Sequence, residues 1–374
     1  MVCRIPIAEP EIGEEELKNV TEAVKSGWVS SKGPFIGEFE KSFSSYIGAK
    51  HGVATSNGTT ALHLALAALG IGKGDKVLVP SLTFIAVANA VTYTGAEPIF
   101  IDSHPEYWCM DPSKIEENID DQTKATILVH LYGHPCEMNE IMRIAEDHNL
   151  HVIEDCAEAH GAEYKGKKIG SFGIISCFSF YGNKIITTGE GGMCLTNNEE
   201  LAEKMRILRD HGMDPRKKYW HDIIGFNYRM TNLQAALGVA QLEKIDSLIN
   251  KKRTIATTYK ELIHDLSDVT PAPEMPWAKN VYWLYSILVK KTLRNKIIEH
   301  LEKQGIEARP FFYPLHTLPP YQHNLKLPIA EELSAKGLNL PSGPRLSENQ
   351  IEAVVESLRE VLMVEDTHNK NHLS

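Results

Sequence analysis

The sequence predicts an α/β protein: a large domain on a mostly parallel sheet with helices on both faces, followed by a smaller α+β domain. Three observations carry this expectation. Between residues 53 and 195, short continuous apolar runs alternate with helix-like segments, the pattern of strands buried on both faces. Polar and glycine-rich turns stand at the ends of those runs, where open α/β sheets gather their sites. Beyond about residue 251 the texture changes to a helix, a proline-rich segment, and mixed strands and helices. The expected domains are therefore 1–250 and 251–374, with a polar, unordered tail from about 365.

In chain order, residues 14–26 read as a helix. The loop that follows carries Trp28 and Ser30; a large aromatic there either lines a pocket or packs a surface turn. A second amphipathic helix spans 36–47. From Val53 a short strand runs into Ser56-Asn57-Gly58-Thr59-Thr60, and a helix rich in Ala and Leu begins there. Free amides, hydroxyls and the helix dipole converge on that turn, and the run of small and polar residues exceeds what a cap requires, so it reads as a phosphate site. The alternation continues as strand 76–79, helix 84–93, strand 98–101, helix 112–118, strand 125–130, helix 138–148 and strand 151–154. Phe84 opens its helix at the carboxyl end of a strand, a place for a site residue as well as for core packing.

The strand at 151–154 ends in acids, Glu154 and Asp155, with Glu158 three residues further on. A carboxylate there is costly to bury without a cationic partner. It either holds a protonated ring nitrogen or merely starts a helix. His160 reads as a hydrogen-bonded structural residue rather than a base. Buried strands at 174–178 and 193–195 flank Lys184, with Ser179 upstream and Gly189-Glu190-Gly191-Gly192 downstream. A lysine at such a strand edge loses hydration, which lowers its pKa and frees the amine as a nucleophile. A solvated loop lysine is the ordinary alternative.

Helix 200–210 leads to a polar stretch and then an irregular loop holding Asn227 and Arg229, before helix 233–242. The C-terminal part reads as helix 253–265, strand 281–289, helix 293–304, strand 306–309 and helix 347–362. Its segment 309–316, with Tyr313 and His316, is dense enough in aromatics to wall a pocket.

Net charge is −10 over 374 residues with no basic run, which speaks against nucleic acid or an anionic membrane surface and for a small-molecule partner. The six cysteines show neither C-x-x-C pairing nor zinc-ligand spacing, so no metal is expected and a reducing cytoplasm is. No signal-peptide core and no bilayer-length apolar stretch is present in the sequence.

A phosphate turn, an aromatic, a strand-end aspartate and a strand-edge lysine are the parts a pyridoxal phosphate site needs. The motifs SNGTTALHLALAALGIGKGD, VIEDCAEA, FSFYGNK, TTGEGGM and GFNYRMTNLQAALG occur in that order. With them, from about residue 5 to 362, the chain resembles the nucleotide-sugar aminotransferases of the DegT/DnrJ/EryC1/StrS family, which have the aspartate-aminotransferase fold. The resemblance implies pyridoxal 5'-phosphate as cofactor, with Lys184 as its lysine, Asp155 on the pyridine nitrogen and Phe84 stacked on the ring. It implies Gly58, Thr59 and Ser179 as phosphate ligands beside Ser56, and a homodimer in which Asn227 reaches the partner's phosphate. Glu158 stands near the cofactor's 3-hydroxyl, where the wider family commonly has glutamine.

Four further segments, SGWVSSKGPFIGEFE, HLYGHPCEM, YWHDIIGFNYRMTN and RPFFYPLHTLP, are similar to those of family members that aminate GDP-4-keto-6-deoxy-D-mannose with L-glutamate. They imply substrate contacts from Trp28, Ser30, Arg229, Tyr313 and His316. UDP- or dTDP-linked 4-keto or 3-keto sugars are alternatives, and so is a non-catalytic sensor on the same fold. A dehydratase is disfavoured, because Lys184 is present and no cysteine cluster is.

Overall fold

The structure, a computed structural model, describes residues 5–322 and 324–371. Helices α1 (Glu14–Lys25) and α2 (Pro34–Ile47) precede strand β1 (His51–Thr55). Then α3 (Gly58–Leu69), β2 (Lys76–Pro80), α4 (Ala86–Tyr93), β3 (Glu97–Ile101), β4 (Thr123–Val129), α5 (Met138–Asp147) and β5 (His151–Asp155) alternate. A hairpin of β6 (Glu163–Tyr164) and β7 (Lys167–Lys168) leads to β8 (Ile175–Ser179) and β9 (Gly192–Thr196), followed by α6 (Glu199–Arg209) and α7 (Asn232–Glu243).

The central sheet has the order β1-β9-β8-β5-β4-β2-β3, and β9 alone runs against its neighbours. Successive side chains alternate between two cores. Val77, Val79, Ile127, Ile153 and Cys177 pack with α3, α4 and α6, whereas Leu78, Leu128, Val152 and Phe178 pack with α2, α5 and α7. This two-sided burial is why the strands read as unbroken apolar runs. Because the remaining strands point one way, the carboxyl ends of β1, β2, β5 and β8 open on one edge of the sheet.

Helix α8 (Ile245–Leu262) carries the chain into a second layer. That layer contains β10 (Thr270–Pro271), β11 (Ala278–Lys279), β12 (Tyr285–Leu288), α9 (Lys291–Lys303), β13 (Arg309–Pro310), α10 (Pro328–Lys336), β14 (Gly337–Leu340) and α11 (Glu348–Asn371). Strands β10-β12-β14-β13 form an antiparallel sheet backed by α9 and α11, while β11 pairs with β6.

Several elements differ from expectation. The change of texture near residue 250 falls inside α8: Leu248 and Ile249 join the large core, and Ile255, Ala256 and Tyr259 join the small one. No glycine or proline interrupts 245–262, so the helix persists while its apolar stripe changes partner. The helix expected at 112–118 is two 3-10 turns, Pro112–Lys114 and Glu116–Asn118, the first opened by Asp111 accepting from Ser113 N–H. Helix α11 continues to Asn371, through the stretch whose composition pointed to an unordered tail, because nothing after Ser347 breaks it. α10 and β14 were not legible, being short and lacking a clear period.

Candidate active site

β8 delivers Phe178 and Ser179 to the open edge of the sheet, and the chain then turns so that Lys184 N–H donates to the Tyr181 carbonyl at 2.9 Å. The Lys184 side chain is 11% exposed, and its Nζ lies 4.0 Å from Glu158 Oε1. The same nitrogen sits 3.7 Å from the centroid of the Trp283 ring. Burial pulls the amine's pKa below the usual lysine value, against the opposing effect of the Glu158 and Asp155 carboxylates.

β5 places its terminal residue, Asp155, beside this amine. Asp155 is buried, and its Oδ1 accepts from Ala157 N–H at 3.0 Å. Burial pushes its carboxyl above the usual range, and Ala157 N–H, Lys184 and His130 offset part of that rise. Glu158, also buried, accepts from Tyr132 N–H at 2.7 Å, and burial pushes its carboxyl up to about 7. Its neighbour Glu154 has a different task. It accepts from Gly170, Phe172 and Gly173 amides and faces His130 Nε2 at 3.3 Å, which together hold it below the usual range despite burial.

The start of α3 comes from β1. Asn57 spends its side chain on Thr60 N–H at 2.9 Å and its carbonyl on Ala61 N–H at 3.1 Å. Intrahelical bonding leaves over the amides of Gly58 and Thr59 ahead of them. Gly58 is required here: a Cβ would stand 2.7 Å from the Ser179 Cβ. Backbone amides, a hydroxyl and a helix dipole thus meet with no side chain between them.

These elements enclose a cleft of about 630 Å³ whose walls include Gly58, Thr59, Phe84, Asp155, Glu158, Ser179 and Lys184. Phe84 is 54% exposed, its ring 5.8 Å from that of Phe312. The residues suit pyridoxal phosphate. The amine's hold on its proton is weakened, a buried carboxylate waits for a cation, and a glycine at a helix start leaves room for an anion.

Other expected site residues lie elsewhere. Ser56 is off the cleft wall, its Oγ 3.1 Å from Thr60 Oγ1 across the helix start. His316 is corrected from a substrate ligand to a structural residue. It is 2% exposed, with Ser81 Oγ 2.7 Å from Nδ1 and Glu331 Oε1 3.3 Å from Nε2, so both ring nitrogens are engaged. His160 is buried, with the Ser179 backbone beside it but no well-formed hydrogen bond to either ring nitrogen among the described residues. It packs among Phe43, Phe178 and Phe180, and burial pushes its pKa down to about 3, so it is neutral.

Trp28 and Tyr313 are 52% and 61% exposed, outside the cleft wall. The Trp28 and Ser30 carbonyls accept from Asn232, at 2.8 Å from its side chain and 2.7 Å from its backbone, which ties their loop to the start of α7. Asn227 and Arg229 also lie away from it, paired with each other and, through Arg229, with Asp210. A second hollow of about 820 Å³ lies between α6 and the loop 212–223 and holds none of the convergent chemistry.

Sequence reading missed Trp283 and did not single out Arg309, both on the cleft wall. An apolar run at 281–289 gives Trp283 no distinguishing signal. For Arg309, the adjoining aromatic cluster was the only hint.

Comparison with known proteins now adds to this geometry. A model of the DegT/DnrJ/EryC1/StrS aminotransferase family matches residues 10–359. GDP-perosamine synthase of Caulobacter vibrioides is 49% identical over 366 residues, spanning 96% of this chain and 99% of that protein. Among solved structures, S. venezuelae DesV in complex with a ketimine intermediate superposes with a TM-score of 0.88 at 36% identity, over 92% of this chain and 94% of that one. The PLP-form of a sugar aminotransferase, Spr1654 from Streptococcus pneumoniae, described as putative, gives 0.91 at 28% identity, over 96% and 98%.

Proposed function

The chain belongs to the DegT/DnrJ/EryC1/StrS aminotransferase family, and from that premise we propose that it moves an amino group from L-glutamate to the C4 ketone of GDP-4-keto-6-deoxy-D-mannose, giving GDP-perosamine. The observation that carries this reading is the convergence of Lys184, Asp155 and the α3 start on one cleft. The cofactor of the family is pyridoxal phosphate. When bound, it supplies an aldehyde that takes up an amino group and a ring that withdraws electrons from the adjoining carbon.

In this reading the chain's own residues do the following. Lys184, whose amine burial shifts toward its neutral form, would hold the cofactor as its nucleophile and would move a proton at its Nζ. Asp155 would pair as a carboxylate with a protonated ring nitrogen and keep the proton there. Gly58, Thr59 and Ser179 would hold the phosphate, Phe84 would lie against the ring, and Glu158, 4.0 Å from the Lys184 amine, would favour its protonated form when it carries the proton.

The molecule's surface supports a homodimer with shared sites. Tyr219, Trp220 and Ile224, on the loop between α6 and α7, are 76%, 48% and 93% exposed, more apolar surface than one loop gives to water without reason. Asn227 follows directly on that loop, and in the dimer it reaches the partner's phosphate. Trp28, Ser30, Arg229 and Tyr313 line the nucleotide-sugar path once two subunits meet. No helix among the described residues is long and apolar enough to cross a membrane.

The deciding experiment offers glutamate and a panel of GDP-, UDP- and dTDP-linked 4-keto and 3-keto sugars, and identifies products by mass and NMR. GDP-4-keto-6-deoxy-D-mannose should outcompete the others. Better turnover of a UDP- or dTDP-linked sugar would overturn the substrate while leaving the aminotransferase. If glutamate gives no 2-oxoglutarate with any sugar, the enzyme reading itself falls and the sensor takes its place. Lys184→Ala should abolish the transfer.

A further inference from the structure

We propose that Trp283 is the positioning residue for the Lys184 amine, and that buried Lys252 and the Asn183 carbonyl hold Trp283 for that task. The proposal rests on Lys184 being the lysine that binds the cofactor. Trp283 comes from the second part of the chain, just ahead of β12, and is 4% exposed. Its indole meets Lys184 twice. The ring face lies 3.7 Å from Nζ, and the ring N–H donates at 2.8 Å to the carbonyl of Asn183, the residue before the lysine. A cation over an indole face is favoured as a cation, more so where water is excluded.

The backbone of Trp283 is held from the other side. Lys252, on α8 and 2% exposed, donates through Nζ to the carbonyls of Trp283 and Ser342, each at 2.8 Å. Burying an amine against neutral acceptors is costly, and an apolar side chain of the same length would fill the space at less cost. Burial pushes the Lys252 pKa down to about 7. Its place is explained by the two carbonyls it ties, one of which belongs to the residue above the reactive amine.

A third contact closes the arrangement. The Tyr132 ring stacks on Trp283 at 6.2 Å and 16°, and the Tyr132 N–H holds Glu158, the carboxylate facing Nζ. Tyr132 has φ 53, a left-handed conformation that is strained for a non-glycine residue and persists where its surroundings demand it. Ring and carboxylate, the two partners of the Lys184 amine, are therefore anchored on one residue.

The test uses cofactor-free protein and an acylating reagent. Labelling of Lys184 is followed across pH by peptide mass mapping, with exposed Lys41 as internal reference. In Trp283→Leu the midpoint of the Lys184 curve should move to lower pH, with roughly tenfold more reactive amine at a fixed pH below it. Lys252→Met, which leaves the ring in place, should move the midpoint the same way by about threefold in reactivity. Trp283→Phe, which keeps a ring but loses the tie to Asn183, should fall between wild type and Trp283→Leu. If the plateau rate rises while the midpoint stays fixed in Trp283→Leu, the ring is only a cover and the proposal is overturned. An unmoved midpoint in a folded Lys252→Met removes Lys252 from it. Protection of Lys184 by added pyridoxal phosphate checks the premise separately: lack of protection would sink the cofactor assignment without touching the Trp283 contact.

Discussion

Replacing Asp155 by Asn should produce two effects of opposite sign. In the cofactor-free protein, burial holds the Asp155 carboxyl above the usual carboxylate range, partly offset by Ala157 N–H at 3.0 Å, by Lys184 and by His130. A folded-state pKa above the unfolded one means that the stabilising contribution is complete while the group is protonated in both states. It is lost as pH rises through the folded value. Above the ordinary carboxylate range, and so at neutral pH, burying this carboxyl therefore weakens the empty protein. Asn is close to isosteric and uncharged, and its amide oxygen still accepts from Ala157. The cofactor-free variant should match or exceed wild type by about 1–2 kcal/mol at neutral pH, a difference that shrinks as pH falls below the carboxylate range. With cofactor the sign reverses. Removing one member of a buried ion pair costs about 3–5 kcal/mol. That is roughly a 10²- to 10⁴-fold loss of turnover at about 1.4 kcal/mol per decade. Urea unfolding of the cofactor-free pair at two pH values reads the first effect, and glutamate-dependent 2-oxoglutarate formation reads the second. Near-wild-type turnover in a folded Asp155→Asn would refute the reasoning and leave Asp155 as the start of a turn.

Gly58→Ala puts a Cβ 2.7 Å from that of Ser179. Relieving the clash costs about 1–3 kcal/mol, so affinity for pyridoxal phosphate, read by titration, should fall roughly five- to a hundredfold; unchanged affinity would remove the α3 start from the phosphate site. His316→Ala should lower stability by about 1–3 kcal/mol, because Ser81 is left buried beside a cavity, while KM for the nucleotide sugar stays near wild type. A selective rise in KM without loss of stability would return His316 to the substrate path. Mixing inactive Lys184→Ala with inactive Asn227→Ala subunits should restore roughly a quarter of wild-type activity, because hybrid dimers carry one site free of both lesions. No recovery after confirmed subunit exchange would rule out sharing through Asn227.

Much of the fold was legible because it is written in local patterns. The strands β2, β4, β5 and β8 are apolar on both faces, and a run such as Val77-Leu78-Val79 has few other readings. Their carboxyl ends, and with them Asp155 and the α3 start as candidates, followed from topology, whereas Ser179 as a phosphate ligand came only from the family resemblance. Lys184 was found because it stands between Ser179 and a glycine run on one connection. Elements without a period escaped: α10, β14 and the true start of α8 were invisible, as was the replacement of the 112–118 helix by 3-10 turns.

The sequence by itself determined which residues are chemically able to hold a cofactor, since the amine, the carboxylate and the glycine-led helix start are properties of residue type and local order. Only the tertiary structure decided which of them meet, and what covers them. It turned His316 away from the cleft onto Ser81, set His160 among phenyl rings, and brought Trp283 from the second layer onto the Lys184 amine. The physical reason is that burial is a property of packing. The desolvation that lowers the lysine pKa, and raises those of Asp155 and Glu158, comes from atoms distant in the chain, and no local pattern records which distant atoms will arrive.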